Sequence, residues 1–157
     1  MKLSAKEDIE APLAFVSEVM ADFEAWERAA MRRGAEVDRL DTLRKPGPGM
    51  AWRVGFTYRG KDRKLDIKLL DLEPEQRLNF EFTGRPAEGV LNIELAEMGP
   101  RRTRVVATME LKPRTLAARL FFQSLRLAKA KVMRRFALRL SQLGADIEDR
   151  YRAKSKS

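Results

Sequence analysis

The chain contains neither histidine nor cysteine. The commonest general base and metal ligand, and the side chain that titrates near neutral pH, are therefore absent. Thiolate nucleophiles, disulfides and zinc–sulfur sites are excluded as well. Acid–base work would fall to Asp, Glu, Lys or Tyr, and the acids sit mainly on the polar alternation of strands and helices. No Glu-x-x-His pattern, glycine-rich phosphate loop or nucleophile elbow is present, and no carboxylate cluster stands out as an oxygen-ligand metal site. No catalytic residue, metal or cofactor is assigned, and an enzymatic role has no positive support. What the sequence offers instead is apolar. Trp52, Phe56, Tyr58, Phe80, Phe82 and Phe121 suit the walls of a pocket for a flat or lipidic ligand, although the same residues would equally fill a core. Trp52 and Tyr58 carry polar atoms that could orient such a ligand. Asp71 would face inward if the alternation ran on from Leu69, and a bulge or strand end before Pro74 would turn it outward.

Charge makes a second candidate surface. Of 157 residues, 32 are Lys or Arg and 23 are Asp or Glu, for a net charge of +9. Between Lys112 and Gln142 lie nine bases, Arg119, Arg126, Lys129 and Arg134 among them, and no acid. The whole excess belongs to that stretch. Such a face could attract an anionic membrane, an acidic protein or RNA in a salt-dependent way. It could also be a solvated helix face whose cations complement the helix dipole. Nucleic acid is the least favoured partner, because Phe121, Phe122 and Phe136 fall on or near the apolar stripe instead of among the exposed bases.

The elements that must position these residues follow from periodicity. Lys2–Ile9 alternates weakly, as a first strand. Ala11-Pro12 opens a short helix, since proline suits the first helical turn. Asp22 is placed to cap a second one, carrying Phe23, Trp26, Ala30 and Met31 and ending at Gly34. The two read as a paired insert. Val37–Leu43 is a poor strand, and Lys45–Gly49 is a loop. Trp52, Val54, Phe56 and Tyr58 then alternate with polar residues as the clearest half-buried strand. Further strands centre on Leu65–Leu69, Leu78–Phe82, Leu91–Leu95 and Val105–Leu111, giving an antiparallel meander with one apolar face. From Thr115 to Ala153 apolar residues recur at helical spacing. A straight helix of that length would measure about 58 Å against a domain only about 40 Å across. The expectation is a gripped section from Leu116 to Leu143, a bend, break or protruding tail after Gly144, and disorder from Lys154 to Ser157.

The order strand, helix pair, antiparallel strands, long helix, together with Ile9-Glu10-Ala11-Pro12, Phe15-Val16, Asp22 and Trp26, resembles the START-like (SRPBCC) superfamily, which includes Bet v 1-type and polyketide cyclase/dehydrase-like proteins. The resemblance implies an α+β helix-grip fold over residues 1–153, a curved sheet gripping the last helix around an apolar cavity. On that reading the chain binds a hydrophobic small molecule or lipid between the sheet and the first half of the helix. Trp52, Val54, Phe56, Tyr58, Leu69, Phe80, Phe82, Met109, Phe121 and Leu125 are the expected site, and the Lys45–Gly49 loop and helix pair are the expected gate. The alternatives are a START-like cyclase or dehydratase-type enzyme and an adaptor docking an acidic partner or membrane through the basic helix. No apolar run approaches the ~18 residues of a membrane span and no signal peptide is visible, so the expected location is the cytoplasm.

Overall fold

The computed structural model describes residues 1–156. Its elements run β1 (Lys2–Ile9), α1 (Leu13–Met20), α2 (Phe23–Arg32), β2 (Glu36–Arg39), β3 (Ala51–Tyr58), β4 (Lys61–Glu73), β5 (Arg77–Gly84), β6 (Ala87–Gly99), β7 (Arg102–Pro113), α3 (Leu116–Arg126) and α4 (Lys129–Ser155). Among the described residues the strands form one seven-stranded sheet in the order β1-β7-β6-β5-β4-β3-β2, antiparallel throughout. This is the expected α+β helix-grip architecture. The helix pair crosses from one edge of the sheet to the other, so it must lie over the apolar face between them.

Local chemistry sets the joints. β3 and β4 are joined by Arg59 and Gly60, both at positive φ (52° and 74°), the backbone of a two-residue turn whose twist matches the strands. In β4 the register slips between Leu69 and Asp71. The extra residue, Leu70, points outward and is exposed, and Asp71 pairs with the half-exposed Arg77 at 2.6 Å. The bulge therefore turns Asp71 away from the interior. Thr103, fully buried, donates its hydroxyl proton to the carbonyl of Ala11 at 2.8 Å, tying the start of the helix pair to β7. Ser17 on α1 accepts from the backbone N–H of Glu75 at 2.8 Å and so holds the β4–β5 turn. Asp22 caps α2 as expected, accepting from Ala25 N–H.

The C-terminal stretch departs from expectation in three ways. It is two helices, broken at Leu127 and Ala128, not one helix bending after Gly144. Its gripped part is the second half: Leu140, Gly144 and Ile147 are the buried residues of α4, which packs chiefly on β1. A Cβ on Gly144 would stand 3.1 Å from Glu7 Cγ and 3.3 Å from Ile9 Cγ1. That glycine marks the closest approach of helix to sheet, not a helix end. Finally, α4 runs on through Ser155, into the stretch expected to be disordered; Tyr151 packs on Phe15 with ring centroids 5.2 Å apart. Ser157 lies outside the described residues.

Candidate functional site

A cavity of about 250 Å³ lies between the apolar face of the sheet and α2, partly open to solvent. Its floor is Val37 of β2, Trp52 and Val54 of β3, Ile67 of β4, Leu78 and Phe80 of β5 and Ile93 of β6. These alternate residues of neighbouring strands share one face because the side-chain period of a strand is two. Its roof is Met20, Phe23, Trp26, Glu27 and Ala30, and Leu143 of α4 closes one side. Phe23, Trp26, Glu27 and Ala30 recur at three- and four-residue steps, so all face down from α2. The Phe23 ring stands 5.4 Å from Trp52 and edge-on to Phe80 at 6.3 Å, pinning roof to floor. Beyond Trp26 and Ala30 the cavity runs into a wider groove lined by Arg33, Gly34, Ala35, Phe56 and Thr57.

The expected site residues divide accordingly. Trp52, Val54 and Phe80 are brought together in the cavity, and Phe56 lies in the groove at its mouth. Phe82 stacks beside Phe80 at 6.5 Å. Leu69 is wholly buried in the core, and Met109 is half-buried on β7. Tyr58 is 53% exposed at the hairpin end, with the guanidinium groups of Arg59 and Arg63 against its ring. Phe121 and Leu125 belong to α3, which packs against β7 and α4 and supplies none of the cavity wall. Phe121 is 53% exposed, and Leu116, Leu120 and Leu127 are more so. The first half of the C-terminal stretch does not cover the cavity; the helix pair does. The physical reason is that α4 is seated on β1, at the opposite edge of the sheet from β3.

Polar chemistry around the cavity is sparse and specific. Trp26 Nε1–H is satisfied, donating to the carbonyls of Val19 and Met20 at 3.2 and 3.3 Å. Trp52 Nε1 and Glu27 Oε2 are shut from solvent and have no hydrogen-bond partner. Buried polar atoms are nearly always paired; these two are not, and the surface that the cavity itself presents is almost wholly apolar. Arg39 lies 5.8 Å over the Trp52 ring, but its own hydrogen bonds go to Asp41 and to the Leu43 carbonyl. The Asp41 hydrogen bond above all, with the Glu27 and Glu24 charges adding, pushes the Arg39 guanidinium above its ordinary range. Asp41 is held well below the usual carboxylate range by the same bond and by the N–H groups of Ala51 and Leu43. Glu27 is the one titratable side chain lining the cavity among the described residues. Sequence reasoning missed it, although a glutamate inside the Phe23–Trp26–Ala30 stripe is a visible anomaly in an otherwise apolar helix face.

No described helix is long and apolar enough to cross a membrane. No curated protein sequence matches the chain. Solved structures do, at the level of fold. A Thermus thermophilus protein aligns over 99% of both chains at 20% identity with a TM-score of 0.68. The Zhui aromatase/cyclase of a Streptomyces species aligns over 85% of this chain and 89% of its own at 16% identity, with a TM-score of 0.63. A START superfamily protein from Mycobacterium smegmatis aligns over 89% of this chain and 99% of its own at 12% identity, with a TM-score of 0.57. The family model for polyketide cyclase/dehydrase and lipid transport proteins matches residues 1–148, and the chain belongs to that family.

Proposed function

We propose that the protein reversibly binds a small hydrophobic molecule in the cavity beneath α2. The observation that carries this reading is the cavity itself, about 250 Å³ with walls of apolar and aromatic side chains. Pockets for drug-sized ligands begin at about 300 Å³, so the enclosed part suits a one- or two-ring molecule or a single short chain. A two-chain lipid would have to extend along the groove past Phe56. Membership of a family that includes cyclases and lipid carriers is consistent with such a ligand. Native mass spectrometry of protein purified from its own host tests the reading. A stoichiometric apolar adduct is expected, and it should vanish in Ala30→Phe, which pushes a ring into the junction of cavity and groove. A bare mass for the wild type, together with no uptake of added apolar probes, would refute it.

A second reading concerns α3. Leu116, Leu120, Phe121 and Leu127 are 71%, 57%, 53% and 94% exposed, and Arg119, Arg126, Lys129 and Arg134 are exposed beside them. Exposed apolar residues interleaved with cations suit the interface of an anionic bilayer. On this reading α3 docks the protein on such a membrane, where an apolar ligand would be collected or released. Co-sedimentation with vesicles containing phosphatidylglycerol, and not with phosphatidylcholine alone, is expected, and Leu120→Asp/Phe121→Asp should abolish it. Dimerisation lost in the same double variant, without vesicle binding, would identify α3 as a self-association surface and sink the membrane reading.

A further inference from the structure

The cavity beneath α2 presents almost no polar surface, so a group that selects the polar end of a ligand must stand where the cavity opens. It opens into the groove past three wall residues that the two share, Trp26, Ala30 and Val54. From Trp26 the helix side of the groove continues through Ala29 and Ala30 to Arg33, at steps of three and four that keep one helix face toward it. Arg33, the residue that caps α2, lies about 10 Å beyond Trp26 at 1.5 Å per residue. Among the described residues it is the one charged side chain lining the groove. It is exposed, and its guanidinium has no ion pair or hydrogen bond within the described residues.

The surroundings leave that charge positive. Two acids lie beside β3 at this end: Asp62 accepts from Thr57 Oγ1 at 3.0 Å, and Glu36 stands next to Gly55. Gly55 and Thr57 alternate with Phe56 along β3, which puts both acids on the outer face of the sheet. On the groove side, the residue opposite Phe56 is a further cation, Arg63. The carbonyls of Ala30 and Met31 accept from the N–H groups of Arg33, Gly34 and Ala35, which blunts the negative end of the α2 dipole. Glu27 lines the inner cavity and not the groove. Its charge and that of Arg33 would orient a ligand the same way, with an anion outward.

Resting on the binding function above, we infer that Arg33 reads a carboxylate on the ligand. The ligand is then an amphiphile whose apolar body fills the cavity and whose head lies in the groove. A guanidinium meets a carboxylate with two parallel hydrogen bonds. An alcohol head uses only one of those N–H groups, and an ammonium head is repelled by Arg33 and Arg63.

The experiment titrates decanoate, decanol and decylamine, which share one chain, at pH 7 and low salt. Tryptophan fluorescence reports binding, since Trp26 and Trp52 both line the cavity. Wild type should bind decanoate more tightly than decylamine, and Arg33→Glu should reverse that order. Arg33→Gln should weaken decanoate about five- to tenfold, as expected for a charge-assisted pair at a part-open site, and leave decanol within about twofold. Arg32→Gln removes the same charge next door, outside the groove lining, and should move decanoate by less than about twofold. Both variants should melt with wild type. Equal weakening of decanoate in Arg33→Gln and Arg32→Gln would show only the overall positive charge at work and overturn the inference. Decylamine binding as tightly as decanoate to wild type would overturn it too. In either case bound decanol leaves the container standing. Failure of wild type to bind any of the three would instead count against the binding function itself.

Discussion

Asp41 ties the arch between β2 and β3, and replacing it with alanine should cost about 3 kcal/mol. Its carboxylate accepts from Arg39 Nε and Nη2 at 2.9 and 2.6 Å, from Leu43 N–H at 2.9 Å and from Ala51 N–H at 2.7 Å, and the side chain is only 10% exposed. Hydrogen bonds to a charged group contribute about 1.5–3 kcal/mol each, but bonds converging on one group are not additive. Arg39, 28% exposed, regains water when released, so that pair adds little. The backbone N–H of Ala51 is partly buried where β3 begins and does not, and stranding it accounts for most of the loss. For a chain of this length ~3 kcal/mol lowers Tm by about 6–12 °C. The pH dependence carries the sign. Asp41 is depressed in the folded state from an unfolded value of about 3.9. Its stabilisation is therefore complete above about pH 5 and declines as pH falls below about 4, where the unfolded chain takes up the proton first. Urea denaturation of wild type and Asp41→Ala at pH 6 and pH 2.5 should show a wide gap at the first and a narrower one at the second. A gap below about 1 kcal/mol at pH 6, or one of equal size at both pH values, would refute the reasoning.

Four further substitutions, at three positions, probe the frame by thermal or urea unfolding. Gly144→Val forces side-chain atoms between α4 and Glu7 and Ile9 of β1 and should cost about 2–3 kcal/mol; Gly144→Ala, whose helix-propensity gain of ~1 kcal/mol offsets a milder crowding, should lie close to wild type. Gly89→Ala would put a Cβ 2.8 Å from the backbone oxygen of Glu110 and 2.7 Å from Leu111 Cδ2, so β6 and β7 must part locally, at about 1–3 kcal/mol. Arg59→Asn places Asn-Gly in a turn whose two residues both have positive φ and should stabilise by about 0.5–1 kcal/mol.

Much of this was visible in residue pattern. Trp52, Val54, Phe56 and Tyr58 alternate cleanly, and the structure puts them on β3; Asp22 caps where a capping residue must; Leu70 bulges ahead of Pro74. The C-terminal stretch was harder for a definite reason. The apolar spacing from Leu116 to Ile147 stays helical across Leu127 and Ala128, with no Gly or Pro to announce the break. The limit that domain width sets on a seated helix holds, since α4's 27 residues span about 40 Å. What periodicity could not supply was which 40 Å section is seated. Gly144 serves equally as a helix terminator or as a point of close approach, and only the position of β1 decides between them. The cavity was half legible for a related reason. Its floor follows from strand alternation, but its roof depends on which helix crosses the sheet, a matter of topology and not of local pattern. Glu27 was overlooked because acids were assigned to the polar face as a class.

The pairing of β1 with β7 has a consequence in time. Lys2 sits opposite Glu110, so β1 leaves the ribosome about a hundred residues ahead of its partner, roughly 5–20 s at ordinary elongation rates. α4, which rests on β1, is made later still. β2 to β7 are joined neighbour to neighbour and can zip as they emerge, whereas closing the N-terminal edge is a non-local step of the kind that slows folding. Through that interval β1 is an unpaired strand with Leu3 and Ile9 uncovered, and Lys2, Lys6, Glu7 and Asp8 are the charges that keep it from pairing with a stranger.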